Sequence, residues 1–122
     1  MSKILYSTEH LWFEINANTV KVGITDHLKS RISPSIIQIS QIGTELKSGD
    51  SAGVLESNKS TYDLDSPIAC KIIKHNDLLL QSPECISQQE EQNNWLYIAE
   101  IDANVDCKDL MDNDEYLSYI EP

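Results

Sequence analysis

No stretch of this chain keeps one hydrophobic period for more than a handful of residues, and that limits the folds open to it. Its apolar segments are strand-sized, such as Ile68-Ala69-Cys70 and Leu78-Leu79-Leu80, and turn or polar residues close each one. Short alternating runs between turn signals build sheets rather than long helices. Leu11 to Ile15 reads as a first strand and Asn16-Ala17-Asn18 as its turn. Val20, Val22 and Ile24 alternate with Thr19, Lys21 and Gly23, the pattern of a half-buried strand. Thr25 is placed to cap a short helix running to Ile32, with Asp26 in its first turn and Pro34 beyond its end. Further strands are expected around Ile37 and Ile39, over Ser51–Leu55, Thr61–Leu64 and Ile68–Ile73, and from Trp95 to Ile101. Lys47-Ser48-Gly49-Asp50 and Asp65-Ser66-Pro67 read as turns. Ser82-Pro83-Glu84 reads as a cap followed by one helical turn, and Gln88 to Asn94 as a loop. After Ala103 the spacing of Val105, Leu110, Tyr116, Leu117 and Ile120 suits short helices, with Asp106 and Asp114 as candidate caps. The expected fold is mainly β: a flattened barrel or sandwich of short strands, with small helices near residue 26 and at the C-terminus.

At 122 residues the chain has room for one domain spanning 1–122 and a modest core. A formal net charge of −11 argues against nucleic acid or an anionic membrane as partner, because phosphates would be repelled. No apolar run is long enough to span a bilayer. The N-terminal residues lack the apolar centre of a signal peptide and the Arg-rich character of a transit peptide, so a cytoplasmic protein, or a mature one cut before Met1, is expected. The three cysteines, Cys70, Cys85 and Cys107, fall at no metal-ligand or redox spacing, and an odd count fits reduced thiols. Between Glu84 and Pro122 the only basic residue is Lys108; this acidic part is either a solvated face or one that docks basic partners.

No phosphate-binding loop, dinucleotide fingerprint or nucleophile elbow is present. His10, His27 and His75 lie far apart without His or Glu partners at helical spacing, so no catalytic or metal-binding set can be picked out. One segment has a chemical character of its own. Glu56-Ser57-Asn58-Lys59-Ser60 is a polar tip between two apolar strands with a lysine near its centre. On a hairpin such a lysine offers its amine to solvent in a fixed place, as an enzyme that acylates one lysine among many requires. Read from the residues alone, an ordinary surface lysine in a turn is the better account of the segment.

Taken in order, the segments of this chain resemble the H protein of the glycine cleavage system. His10 and Trp12 resemble that family's His-x-Trp, and Val22-Gly23-Ile24-Thr25-Asp26-His27 its Gly-Ile-Thr-Asp segment. Gly43 and Leu46 follow, then Glu56-Ser57-Asn58-Lys59-Ser60, similar to the family's Glu-Ser-Val-Lys-Ala. Asp63, Ser66-Pro67, Asn76, Ser82-Pro83-Glu84, Trp95-Leu96 and Glu115-Tyr116 complete the set. The resemblance implies a hybrid-motif lipoyl domain, monomeric and without turnover of its own, with lipoate carried covalently on Lys59. Glu56 would help orient the tip, and Asp63 would line the groove where the loaded arm rests. The implied partners are glycine decarboxylase, which loads the aminomethyl group of glycine; aminomethyltransferase, which unloads it; dihydrolipoamide dehydrogenase, which reoxidises the arm; and the lipoyl ligase or lipoyltransferase that attaches it.

The chain also departs from the family. Leu11 stands where the family has a Glu that helps hold the loaded arm, and an apolar side chain cannot accept a hydrogen bond from a charged amine. Arg31 stands where some members have His, and Asn58 and Ser60 flank the lysine with polar groups. Cys70 and Asn94 replace glycines. These changes keep the lysine and scaffold while altering the groove. Three readings stay open: the glycine-cleavage carrier, an H-like lipoyl carrier serving another client (a lipoyl relay or redox carrier), and a binding module that is never lipoylated.

Overall fold

The computed structural model describes residues 2–121. Nine strands form two antiparallel sheets. β1 (Ser2–Tyr6), β2 (Leu11–Asn16), β3 (Thr19–Ile24), β9 (Trp95–Glu100), β8 (Cys70–His75) and β5 (Glu45–Leu46) lie side by side in that order. β4 (Ile36–Ile39), β6 (Ser51–Glu56) and β7 (Thr61–Asp65) make the smaller sheet. One core joins them: Leu11, Phe13, Val20, Val22, Ile72, Leu96, Tyr97 and Ala99 from the larger sheet meet Ile37, Ala52, Leu55 and Leu64 from the smaller. The result is a flattened sandwich of two open sheets, the second of the two forms expected.

Several elements differ from the sequence reading. The chain begins its sheet earlier, with β1 pairing along the whole of β2; Lys3 and the exposed Ile4 gave it no clean alternation. The helix after Thr25 is α1 (Asp26–Lys29), a single turn, with the Thr25 hydroxyl accepting from the Leu28 amide as expected. The strand-sized run Leu78-Leu79-Leu80, to which the sequence assigns no element, lies in a helix: α2 (Asp77–Gln81) buries Leu79 and exposes Leu78. The strand expected from Ile68 starts at Cys70. The turn after Ser82 is a 3-10 helix, Pro83–Gln88, and the Ser82 side chain does not cap it. The expected loop before Trp95 contains a further 3-10 turn, Glu91–Asn93. Near the C-terminus the described residues form one helix, α3 (Asn113–Ile120). Its cap is Asp112, not Asp106 or Asp114; the Asp112 carboxylate accepts from the Glu115 amide while the Glu115 carboxylate accepts from the Asp112 amide.

The two replaced glycines need no left-handed backbone. Cys70 opens β8 opposite Leu46 and is buried. Asn94 has φ −92° and is buried, donating from its side-chain amide to the Ile86 carbonyl at 3.0 Å. Gly23 does need to be glycine. A Cβ there would lie 2.3 Å from the Trp12 ring and 2.5 Å from the Asn94 carbonyl oxygen. That ring is pinned by its indole N–H, which lies 3.1 Å from the Ile24 carbonyl and 3.2 Å from that of Glu91.

Candidate functional site

Lys59 sits where the sequence places it, on the four-residue connection between β6 and β7. The hairpin ladder runs to the pair Glu56 and Thr61, and the connection is then closed from within. The Ser57 amide donates to the Ser60 carbonyl at 2.9 Å, and the two serine hydroxyls lie 3.1 Å apart. Asn58, Lys59 and Ser60 are exposed. Among the described residues no carboxylate pairs with the Lys59 amine. Glu56 belongs to the strand rather than to the tip. Its carbonyl accepts from the Ser35 amide at 2.7 Å and from the Ser35 hydroxyl at 3.2 Å, tying the hairpin base to the segment leading into β4. The geometry thus gives Glu56 a backbone anchoring role at the hairpin base.

Asp63 is exposed on β7, four residues beyond Lys59, which is roughly 13 Å along an extended chain. Beside β7 lies the connection between β1 and β2. The Tyr62 hydroxyl donates to the Glu9 carbonyl, and the Glu9 carboxyl lies by Asp65 and Asp63. Partial burial raises the Glu9 carboxyl above the usual range, and a hydrogen bond to Asp65 with the nearby charges of Asp65 and Asp63 pushes it further. Burial, with Glu9 behind it, pushes the Tyr62 phenol up to about 12. A line of negative potential therefore runs along β7 below the tip. Leu11 does not face it: that side chain is wholly buried in the core.

Three motifs that are distant in sequence converge next to this line. His10 adopts φ +67°, and its carbonyl accepts from the Thr25 hydroxyl at 2.9 Å. Its Nδ1 lies 2.9 Å from the Tyr116 hydroxyl, which is 3.0 Å from the Thr25 hydroxyl. The His-x-Trp, Gly-Ile-Thr-Asp and Glu-Tyr segments thus form one hydrogen-bonded knot that fixes the β1–β2 connection and the C-terminal helix. The His27 ring packs against that of His10, tilted by 36° with ring centres 4.4 Å apart, and Arg31 Nε donates to His27 Nε2 at 2.8 Å. Burial lowers the His10 pKa, with His27 and Arg31 adding to it, so the ring is held toward its neutral form. Sequence reasoning missed Glu9, Tyr62 and this knot, because alternation along a strand does not reveal which connection crosses it.

A two-sheet scaffold that presents an unpaired lysine on a closed hairpin tip has the form of a carrier domain. Comparison with known proteins gives the particular family. The family model described as glycine cleavage H-protein matches residues 4–122. A glycine cleavage system H protein of Endomicrobium trichonymphae is 37% identical over 116 residues, 94% of each chain. One from Bartonella quintana is 30% identical over 121 residues, covering 98% of this chain and 99% of that one. The crystal structure of a glycine cleavage system H protein from Mycobacterium marinum superposes with a TM-score of 0.84 at 24% identity, over 95% of this chain and 94% of that one, which is a likeness of fold. The chain belongs to the glycine cleavage H-protein family.

Proposed function

We propose that the whole chain acts as one lipoyl domain, the lipoyl carrier of a glycine cleavage system, with Lys59 as its attachment site. The observation that carries this reading is the exposed, unpaired Lys59 amine on a tip closed by Ser57 and Ser60. An acylating enzyme needs an amine that it can surround, in a geometry that costs little to order. The other lysines lie on strands, on α1, or in the turns at Lys47 and Lys108, which aspartate carboxylates close and which are not tips of a hairpin between paired strands. When attached, the lipoyl group supplies a dithiolane that takes up the aminomethyl unit of glycine and passes it on.

The chain's own residues do the rest. The hairpin holds the amine away from the core. The base at Glu56 and Ser35 fixes the direction in which the arm leaves. Glu9, Asp63 and Asp65 give β7 a negative potential that favours a protonated amine over neutral cargo. Arg31 is turned toward His27, which moderates its repulsion of such a cation. Membership of the family favours glycine cleavage over another client. It implies exchange with glycine decarboxylase, aminomethyltransferase and dihydrolipoamide dehydrogenase, after loading by a lipoyl ligase or lipoyltransferase. The free thiols suit a reducing cytoplasm, where the carrier would work as a monomer. Among the described residues no helix is long and apolar enough to cross a membrane.

The test is the intact mass of the protein after incubation with a lipoyl ligase, ATP and lipoate, beside a Lys59→Arg control. A gain of one lipoyl group that the control lacks is expected. A folded protein that gains nothing from an active ligase, or gains equally in the control, overturns the assignment.

A further inference from the structure

The outward face of the six-stranded sheet, turned away from the sheet that carries Lys59, has a feature the carrier role leaves unused. Residues Ile4, Glu14, Lys21, Ile98 and Lys74 stand in register across β1, β2, β3, β9 and β8. Lys21 faces Glu14 directly, yet no ion pair forms between them. Its amine lies over the Trp95 ring instead, 5.8 Å from the centre, and the Lys74 amine approaches the same ring at 6.0 Å. In a chain with 20 acids and 9 Lys and Arg, two amines thus bypass carboxylates and converge on one half-exposed tryptophan. A tryptophan flanked by cations that are held in place but not neutralised has the make-up of an interface anchor.

We infer that the Lys21–Trp95–Lys74 face is a docking surface for an acidic patch on a partner enzyme. Charge complementarity selects the occupant. Among the described residues neither amine pairs with a carboxylate, so a partner carboxylate can meet each while an apolar side chain covers the ring and Ile98. Nucleic acid or an anionic membrane would offer the same charges, but the net −11 of the whole molecule repels an extended polyanion. The position has a functional consequence. An enzyme that holds the carrier by this face leaves the hairpin tip on the other sheet free, so the arm can work while the scaffold stays bound. The identity of the partners, as enzymes of glycine cleavage, rests on the proposed carrier role; the docking face itself does not.

The test measures binding of the unmodified protein to glycine decarboxylase, aminomethyltransferase and dihydrolipoamide dehydrogenase by calorimetry, so it is independent of whether Lys59 accepts lipoate. The variants are Lys21→Glu with Lys74→Glu, and Lys21→Arg with Lys74→Arg. The charge-reversed pair should weaken binding to at least one enzyme by about tenfold or more and flatten its salt dependence, while the arginine pair should bind within about twofold of wild type. Lipoylation of both should match wild type, since neither touches the tip. If charge reversal disturbs folding, seen as a changed far-UV spectrum, Lys21→Gln with Lys74→Gln replaces it with the same direction of effect expected. No binding to any of the three enzymes, or equal binding by the charge-changed and wild-type proteins, overturns the inference. So does a dimer of this chain that charge reversal dissolves, which would make a second copy the occupant.

Discussion

Gly53→Ala is the most direct probe of how the hairpin bearing Lys59 is held. Gly53 lies in β6 where its pairing with β7 is irregular, and it faces Ile39 of β4. A Cβ built there would stand 2.0 Å from the Gln38 carbonyl oxygen and 3.0 Å from both the Gln38 carbonyl carbon and the Ile39 Cα. All three are backbone atoms, so no rotamer change relieves the contact. To reach even the tightest tolerable separation, β4 and β6 must part by about 1 Å at this point, as close-packed interiors require. The nearby bond from the Ser40 amide to the Ala52 carbonyl, now 2.8 Å, would then stretch past useful range. Overpacking costs about 1–3 kcal/mol and the weakened bond about 1 kcal/mol, so the substitution should cost roughly 2–4 kcal/mol. Gly49→Ala provides the contrast. Its φ of +96° strains any side chain, but nothing lies within 4 Å of the added atom, so about 1 kcal/mol is expected. Urea unfolding followed by far-UV dichroism gives both numbers. If Gly53→Ala costs no more than Gly49→Ala, the close approach of β4 to β6 is not what fixes the hairpin.

Two further predictions concern protons along β7. Glu9 has a folded-state pKa above its unfolded one, so its contribution favours the fold at pH below about 4.5 and is lost as pH rises through the folded value. Glu9→Gln should therefore raise the urea midpoint at pH 7 relative to wild type, with the gain shrinking toward pH 3; a loss of stability at pH 7 would contradict the crowding of Glu9 by Asp65 and Asp63. The Tyr62 phenol, pushed up to about 12, contributes stability that is present below pH 10 and lost as pH rises through 12. Difference absorbance near 295 nm should show Tyr62 ionising at lower pH in a Glu9→Gln variant, which removes the carboxylate charge and keeps the backbone carbonyl, while burial still holds it above the usual tyrosine range; identical titrations would refute the influence of the Glu9 charge.

Much of the architecture could be read from alternation, and what could not has local causes. β3 was legible because Val20 and Val22 are buried and alternate with half-buried Thr19 and Lys21, while β6, β7 and β9 were legible as short apolar runs between turn signals, with Leu55, Leu64 and Leu96 in the core. β1 was not, because an edge strand that exposes Ile4 and Lys3 shows little contrast between its faces. The helix over Leu78-Leu79-Leu80 was not legible because three apolar residues fit a strand and a helical turn alike; only Leu79 is fully buried, which one helical turn achieves and a strand buried on both faces would not. Lys59 was legible as a tip residue from the turn-like polarity around it. The clasp between Ser57 and Ser60 was not, since two serines at that spacing are as common in open loops.

The departure at Leu11 shows how position and place can separate. Compared residue by residue, the family's carboxylate between His and Trp is gone, and the side chain that replaces it lies in the core. Yet the β1–β2 connection still brings an acid to β7. His10 takes a left-handed conformation that the Thr25 and Tyr116 hydroxyls hold in place. Glu9, the residue before it, is held against Tyr62 through its own carbonyl, with its carboxyl beside Asp65 and Asp63. The field that a cationic cargo would meet depends on where charges sit in space, not on which residue number supplies them. A carboxylate displaced by two residues along a connection, on the far side of a left-handed turn, keeps negative potential beside β7 while Leu11 fills the core. The substitution that argued most strongly against glycine cleavage in the sequence is thus compatible with it in the folded chain.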